Sequence, residues 1–351
     1  MIDLNRVKRS YITRNVNFDD VTDVAELLPE TGDLLLARVD RIRQHTRIEN
    51  PYGRREHLFV DDLIIVAAGD RYATDQFYAK SPAQLGKTQL VAAGGIAGDV
   101  ISKSAQVKAA TEITVLGVLV NSQGQKINLE SYSTLKDAYL HPSANEMPVL
   151  LVVGSDMNSG KTSMASSLIN GFSKAGFKAA AAKLTGTGSG PDYWKMVDAG
   201  AFQVKDFLDA GYPTTVNLSE TKLVRLLQRL KMDAVQAAAD LLVVELADGV
   251  LQPQNKALIA NGRLLKEVSA SMVAADSSTA AAFCAEKMIE AGFPIYGLGG
   301  VFTRAELCAD EVRDSLGLPI YSLDALRKVS TAKALMASLE RDHSYVTSYA
   351  I

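Results

Sequence analysis

The sequence predicts a chain in two parts: a smaller β-rich domain, barrel or sandwich, over residues 1–145, then an α/β domain with a mainly parallel sheet over 146–351. Three observations carry this. From Thr31 to Leu129, short apolar runs are punctuated by Gly-Asp and Gly-Gly, the texture of strands joined by tight turns and bulges. From Val149 onward, apolar runs of strand length alternate with helical patterns such as SMASSLINGFSKAG and AAAFCAEKMIEAG, which implies helices on both faces of a parallel sheet. Between the two lies TLKDAYLHPSANEMP, Thr134 to Pro148, whose linker composition sets the boundary near 145.

At 351 residues the chain is long enough for two cores. Hydrophobic residues make up 47% and charged residues 22%, an ordinary globular balance, and a net charge of −3 exerts no global pull on nucleic acid or anionic membrane. Cys284 and Cys308 lack CxxC spacing, so neither a disulfide framework nor a thiolate metal site is expected. The first residues, MIDLNRVKRSYITRN, contain no apolar signal core, and no run has the length of a membrane span. A cytoplasmic location and no membrane partner are expected.

Taken in order, Val21 to Leu28 reads as a short helix ended by Pro29. Strands follow at GDLLLARVDRI, HLFVDDLIIVAAGDRY, QLVAAGGIAGDVISKS and TEITVLGVLVNSQGQKINL, with Gly32, Gly69 and Gly98 read as three Gly-Asp turns. Arg38 to His57 holds six arginines, and strand alternation would set Arg41, Arg43, His45 and Arg47 on one face. That face could bind anions. It could equally be a solvated face neutralised by Asp40, Glu49 and Glu56. With only Tyr52 to stack a base, nucleic acid is not expected as a partner. AAGGIAGDV, Ala92 to Val100, reads as a turn or bulge.

The second part is organised around PVLLVVGSDMNSGKTSMASSLINGF, Pro148 to Phe172. A buried strand (Val149 to Val153) runs into a Gly-bounded loop, and Lys161, Thr162 and Ser163 open an amphipathic helix. This is the context of a phosphate-binding P-loop, in which main-chain N–H groups and the positive end of the helix cradle a polyphosphate. The expected nucleotide-binding residues are Gly154, Ser155, Asp156, Asn158, Ser159, Gly160, Lys161, Thr162 and Ser163. Lys161 would reach the outer phosphates, and the Thr162 hydroxyl would enter a Mg²⁺ shell. Five residues, Ser155 to Ser159, separate Gly154 from Gly160, one more than in a standard Walker loop.

GSDMNSGKT resembles the GTDTxVGKT loop of dethiobiotin synthetase and its relatives, among them the cobyrinic acid amide-forming synthetases and the dimeric signal-recognition and Min-type ATPases. Where the last group carries a signature lysine this chain has Asp156, so their cross-subunit lysine is not implied. Over most of Pro148 to Ser322 the chain is also similar to a two-domain P-loop family that includes D-glutamate N-acetyltransferase, and VVELADG, Val243 to Gly249, resembles that family's acidic strand end. The resemblance implies a P-loop NTPase-like fold, ATP with Mg²⁺ as cofactors, and a homodimer.

The remaining strands are expected at Ala179 to Lys183, Leu241 to Leu246, Ser271 to Ala275 and Pro294 to Leu298. Ligands bind beyond the carboxyl ends of such strands, and polar residues cluster there. KLTGTGSGPDYW offers Lys183, Thr185, Thr187 and Asp192 for a second anionic group, and Lys183 matches by order the strand-end lysine of dethiobiotin synthetase. MVDAGAFQVKDFLDAG offers Asp206, similar to the aspartate of a DF-x-x-G segment in the acetyltransferase family, as a Mg²⁺ ligand beside Thr162, with Asp198 as its rival. VVELADGVLQPQN supplies Glu245 as the first choice for a strand-end metal acid and Asp248 as the second, with Asp248 and Gln252 also open to substrate and Gln254 beside them. Asp276 reads as a helix N-cap or as a base or ribose contact, Gly299 and Gly300 as room near a base or ribose, and Arg304 as a substrate contact. SLDALRKVSTAKALMASLERDHSYVTSYAI reads as a helix with Leu323, Leu326, Val329 and Leu335 inward, followed by a polar tail.

Three functions follow as expectations. The first is a Mg²⁺-dependent ATP enzyme activating a carboxylate or similar small anionic acceptor by phosphoryl transfer, with Lys161, Lys183 and Glu245 catalytic and Thr162, Glu245 and Asp206 on the metal. The second is N-acyl transfer from acetyl-CoA, with Glu245 or Asp276 as base. The third is a nucleotide-switched binding protein. No NKxD base-reading motif follows the fifth strand, so ATP rather than GTP is expected.

Overall fold

A computed structural model describes residues 6–136 and 146–347. The middle of the linker read over Thr134–Pro148, and the end of the polar tail, lie outside the described residues. The chain forms two compact units, one of Met1–Leu135, Gly186–Pro191 and Phe207–Asn217, the other of Lys136–Thr185, Asp192–Asp206 and Leu218–Ile351.

The first unit is a small barrel. Its strands are β1 (Lys8–Arg9), β2 (Asp23–Ala25), β3 (Leu34–Arg41), β4 (Arg47–Glu49), β5 (Arg55–His57), β6 (Leu63–Ala68), β7 (Arg71–Tyr72), β8 (Phe77–Lys80), β9 (Gly86–Ala92), β10 (Ile96–Lys103) and β11 (Thr111–Val120). Strands β6, β3, β11, β9 and β10 pair in that order, and β10 pairs again with β6, so the sheet closes and loses its edges there. Alternate residues fill the inside, among them Leu35, Ala37, Val39, Ile64, Val66, Leu90, Ile113 and Val115.

The helix expected over Val21–Leu28 is not formed. Asp23–Ala25 is extended as β2 and pairs with Val118–Val120 of β11; a β-branched residue at Val24 and a free strand partner override a short helical pattern with no cap. Gly98–Asp99 lies inside β10 rather than in a turn. The glycines of AAGGIAGDV do make a turn, from β9 to β10: Gly95 has φ +110°, and a Cβ on Gly94 would lie 2.0 Å from the Gly188 carbonyl oxygen.

The second unit is α/β. Its strands β12 (Val149–Gly154), β13 (Ala179–Lys183), β14 (Gln203–Asp206), β15 (Leu241–Glu245), β16 (Ala270–Ala275) and β17 (Ile295–Gly300) form one sheet in the order β14-β13-β15-β12-β16-β17. Every pairing is parallel. Strands β12, β15 and β16 are buried along their whole length, as continuous apolar runs require when helices cover both faces. Strand β14 was not expected: QVKD is short, alternates polar and apolar, and sits at the sheet's edge, where no continuous apolar run is needed.

The helices are α1 (Lys161–Lys174), α2 (Gly190–Asp198), α3 (Glu220–Gln236), α4 (Pro253–Ala260), α5 (Gly262–Leu265), α6 (Ser278–Glu290), α7 (Glu306–Leu316), α8 (Leu323–Leu326) and α9 (Val329–Thr347). Met164, Leu168 and Phe172, one turn apart on α1, are buried against Leu150, Val152, Leu335 and Leu339. Each such side chain contributes about 2 kcal/mol of transfer free energy. The expected single C-terminal helix is broken between α8 and α9 at Arg327 and Lys328. Because β15 and β16, which flank β12, both come later in the chain, β12 lies at the reversal of strand order, where a crevice opens beyond the carboxyl ends.

Candidate functional site

The loop after β12 is fixed from both sides. Gly160 caps α1 with φ +98°, a conformation open to glycine. Ser155 N donates to Ala274 O at 2.9 Å, Val250 N to Gly154 O at 3.0 Å, and Val301 N to Ser159 O at 3.2 Å. Two glycines outside the loop permit these approaches: a Cβ on Gly249 would lie 2.3 Å from Ser155 O, and one on Gly300 2.5 Å from Ser159 O. Gly300 therefore serves backbone packing, and so does Gly299, whose Cβ would meet Tyr321 O at 2.7 Å. Asp156 Oδ1 accepts from Met157 N at 2.7 Å, and Asp156 and Asn158 are exposed at the rim.

Lys161 is buried, and its Nζ donates to the carbonyls of Asp156 at 2.6 Å and Met157 at 3.4 Å, which sets the ammonium inside the loop. Burial lowers its pKa, and the nearby carboxylates of Glu245 and Asp248 oppose that shift.

Beside the loop, the strand ends gather a charged cluster. Parallel register sets Val152 of β12, Glu245 of β15, Lys183 of β13 and Asp206 of β14 in one row. The Thr162 hydroxyl donates to Glu245 Oε1 at 3.0 Å. Glu245 is 2% exposed, and its Oε2 has no hydrogen-bond partner. Burial, then the charge of Asp192, raises its pKa, with Lys183 and Lys161 opposing. Lys183 forms an ion pair with Asp192 of α2. Burial alone would lower the Lys183 pKa; the carboxylates of Asp192 and Glu245 outweigh it and hold the ammonium well above the usual lysine range. Burial would likewise raise the Asp192 pKa, and the Lys183 charge outweighs it and holds the carboxyl low. Asp206 is buried three strands from β12, about 14 Å at the usual strand spacing, and adds to the field on Lys183.

The other expected residues separate by role. The Thr185 hydroxyl is buried and accepts from Ala247 N at 2.9 Å, fixing the chain after β15. Thr187 belongs to the first unit, in a β-bridge with Thr214. Asp248 holds φ +63° and acts on Lys161 through its charge. Gln252 is the N-cap of α4, accepting from Asn255 N at 2.7 Å, and Gln254 donates to Leu218 O at 2.8 Å. Asp276 is not a cap: Ser277 caps α6, and Asp276 accepts from the Ser155 hydroxyl at 3.3 Å. Arg304 lines a cavity of about 230 Å³ together with Gly160, Ser163, Thr303 and Asp324, which puts it beside the loop. Asp198 is exposed near the end of α2.

Two contributors escaped sequence reading. Asn255 Nδ2 binds the carbonyls of Ala247 at 2.6 Å and Gly249 at 3.1 Å and so shapes the segment that presses on the P-loop. Lys195 donates to Ser163 Oγ at 2.8 Å; its spacing from Asp192 on one helix was the available signal.

Among the described residues no group of three or more His, Cys, Asp or Glu could hold a metal ion. Mg²⁺ needs no such cage, being bound through one or two protein oxygens with water and phosphate completing the shell. The Thr162 hydroxyl and the unpartnered Oε2 of Glu245 fit that donor set.

No known family model matches this chain, and no curated protein does. Among solved structures it is similar to the 54 kDa signal recognition particle protein of Aeropyrum pernix K1 in complex with GDP, at 17% identity over 57% of this chain and 50% of that one, with a TM-score of 0.38. It is similar to the signal recognition particle receptor FtsY of Elizabethkingia anophelis in complex with GDP, at 15% identity over 56% and 64%, TM-score 0.40. It is also similar to a DUF1611 family protein of Anabaena variabilis, at 16% identity over 59% and 61%, TM-score 0.38. This chain spans half of the first and less than two thirds of the other two. At such distances no property passes from them; the P-loop α/β fold of the second unit rests on its own sheet order and loop. No helix among the described residues is long and apolar enough to cross a membrane.

Proposed function

We propose that the second unit is a Mg²⁺-dependent ATP enzyme of the dethiobiotin synthetase-like type, activating a carboxylate or similar small anionic acceptor by phosphoryl transfer. The observation that carries this reading is the Thr162–Glu245 hydrogen bond of 3.0 Å next to a P-loop lysine, with one Glu245 oxygen left unpartnered. Lys161, held inside the loop, binds the outer phosphates. Lys183, kept cationic by Asp192, supplies positive charge two strands away, where the acceptor's own negative charge is met. Thr162 and Glu245 hold the metal, which on binding neutralises charge that develops on the transferred group. Asp206 supports Lys183 and is not assigned to the metal. A homodimer is proposed from the family resemblance alone.

The raised pKa of Glu245 favours a second reading, N-acyl transfer from acetyl-CoA with Glu245 as general base. Calorimetric titration with ATP, GTP and acetyl-CoA, each with and without Mg²⁺, on the wild type and Lys161→Ala separates the two. Mg²⁺-dependent ATP binding that disappears in the variant supports phosphoryl transfer. Metal-independent acetyl-CoA binding with no ATP binding overturns it in favour of acyl transfer.

A further inference from the structure

A second cavity, of about 410 Å³, runs along the outer side of α1 from Ser163 to Lys174 and is bounded by α2 and α8. Ser163, Ser166, Asn170 and Lys174 recur at helical spacing, so all face it from one stripe of α1. Three cations line it, Lys174, Lys195 and Arg327, against one carboxylate, Asp198. Two of these cations have no carboxylate partner among the described residues, and the third is paired only at an exposed carboxylate. Lys174 and Lys195 have no carboxylate within ion-pair distance among the described residues; Lys195 donates to Ser163 Oγ at 2.8 Å. Arg327 donates through Nε to Ser167 Oγ at 3.2 Å and through Nη1 to Asp324 Oδ1 at 3.2 Å, the latter a largely exposed carboxylate.

An independent observation points to a ligand. Ser166 is 7% exposed, lines the cavity, and its hydroxyl has no hydrogen-bond partner. Buried hydroxyls are ordinarily satisfied, and one left over beside an excess of positive charge is a donor for an incoming oxyanion.

We propose that this groove binds a phosphate-type oxyanion, with the Ser166 hydroxyl donating at its floor and Lys195, Lys174 and Arg327 around its rim. The anion is either a separate phosphorylated ligand or a further phosphate on a nucleotide whose chain of phosphates lies in the P-loop, since Ser163 borders both cavities. The proposal stands whether or not the P-loop transfers phosphoryl groups.

The test uses calorimetric titration with inorganic phosphate in the Lys161→Ala background, which weakens the P-loop's own claim on the anion. Ser166→Ala is the informative change, because it alters no charge and removes only an unsatisfied hydroxyl. It is expected to weaken phosphate binding at least threefold without lowering the melting temperature, and Lys195→Gln with Arg327→Gln at least tenfold. Lys287→Gln, on the surface of α6, controls for general charge and is expected to change nothing. Unchanged affinity in Ser166→Ala, or an equal loss in Lys287→Gln, overturns the proposal. Adenosine 3′,5′-bisphosphate and adenosine 5′-monophosphate, titrated into protein with Lys161 intact, distinguish the sources. A tenfold preference for the bisphosphate that Arg327→Gln abolishes assigns the groove to a nucleotide phosphate; equal affinities assign it to a separate ligand.

Discussion

The barrel and the α/β unit each hold a dense set of charged side chains, and they use them in opposite ways. In the barrel the arginines of Arg38–His57 do not share one strand face: β3 ends at Arg41, and Arg43 and His45 lie in the bend before β4. Arg38 pairs with Asp40, Arg43 with Glu112 and Arg54 with Glu56, all with substantial solvent exposure. Two titratable side chains of the segment turn inward: His45, against Phe77, where burial and the charge of Arg71 lower its pKa to about 4 and keep it neutral, and Glu49, which accepts from Gly190 N at 3.0 Å and whose pKa burial raises. In the α/β unit, by contrast, Glu245, Lys183 and Asp206 at strand ends and Lys161 at the start of α1 are held with little water around them. Charge density alone therefore does not mark a site. Charge that the fold removes from water and gathers around a phosphate-binding loop is the stronger signal.

Lys161→Ala is the largest expected break in this contrast. Loss of the buried ammonium should weaken triphosphate binding at least ~100-fold, about 3 kcal/mol for a charge-assisted contact in a dry site, with an unchanged circular dichroism spectrum. Asp192→Asn strands the buried Lys183. Removing one partner of such a pair should cost on the order of 2 kcal/mol, below the fully buried range because Asp192 is partly exposed, and chemical denaturation measures it. The depressed Asp192 pKa adds a pH signature: its contribution is present above the ordinary aspartate range and is lost as pH falls through the folded value.

Glu245→Gln should act in the reverse sense. A carboxyl whose folded pKa is raised contributes stability that is lost as pH climbs from the ordinary value of 4.5 through the folded one, so at neutral pH the ionised group weakens the fold. The amide should raise the melting temperature by roughly 2–4 °C in the absence of ligand while abolishing any Mg²⁺ dependence of nucleotide binding. A lowered melting temperature would show that pairing with Thr162 and Lys161 outweighs the burial penalty. Arg43→Ala sharpens the comparison from the other side: it should change stability by less than about 0.5 kcal/mol and nucleotide affinity not at all.

Much of this arrangement was legible because its physics is local. The strand, the glycine-bounded loop and GKT announce themselves within Pro148–Phe172, and Glu245 follows four apolar residues at a strand's end. What escaped depends on neighbours distant in sequence. Val24 is extended because β11 offers it a partner, β14 exists because β13 does, and the hydrogen bond that Thr185 accepts from the Ala247 amide joins two segments far apart in sequence. Gly299 and Gly300 admit atoms of the protein itself, Met164 Cε and the Tyr321 carbonyl at the first, the backbone of Ser159 and Ala275 at the second.

That last feature bears on rates. With Gly249 and Gly300 packed against Ser155 and Ser159 and three main-chain hydrogen bonds tying the loop to its neighbours, both ends of the P-loop are held in place before a ligand arrives. Association should then be a single encounter rather than a slow tightening, with an observed rate that climbs linearly with ligand concentration and a rate constant not lowered by any gating step. Stopped-flow traces that level off at high concentration would mean that the clamp opens first.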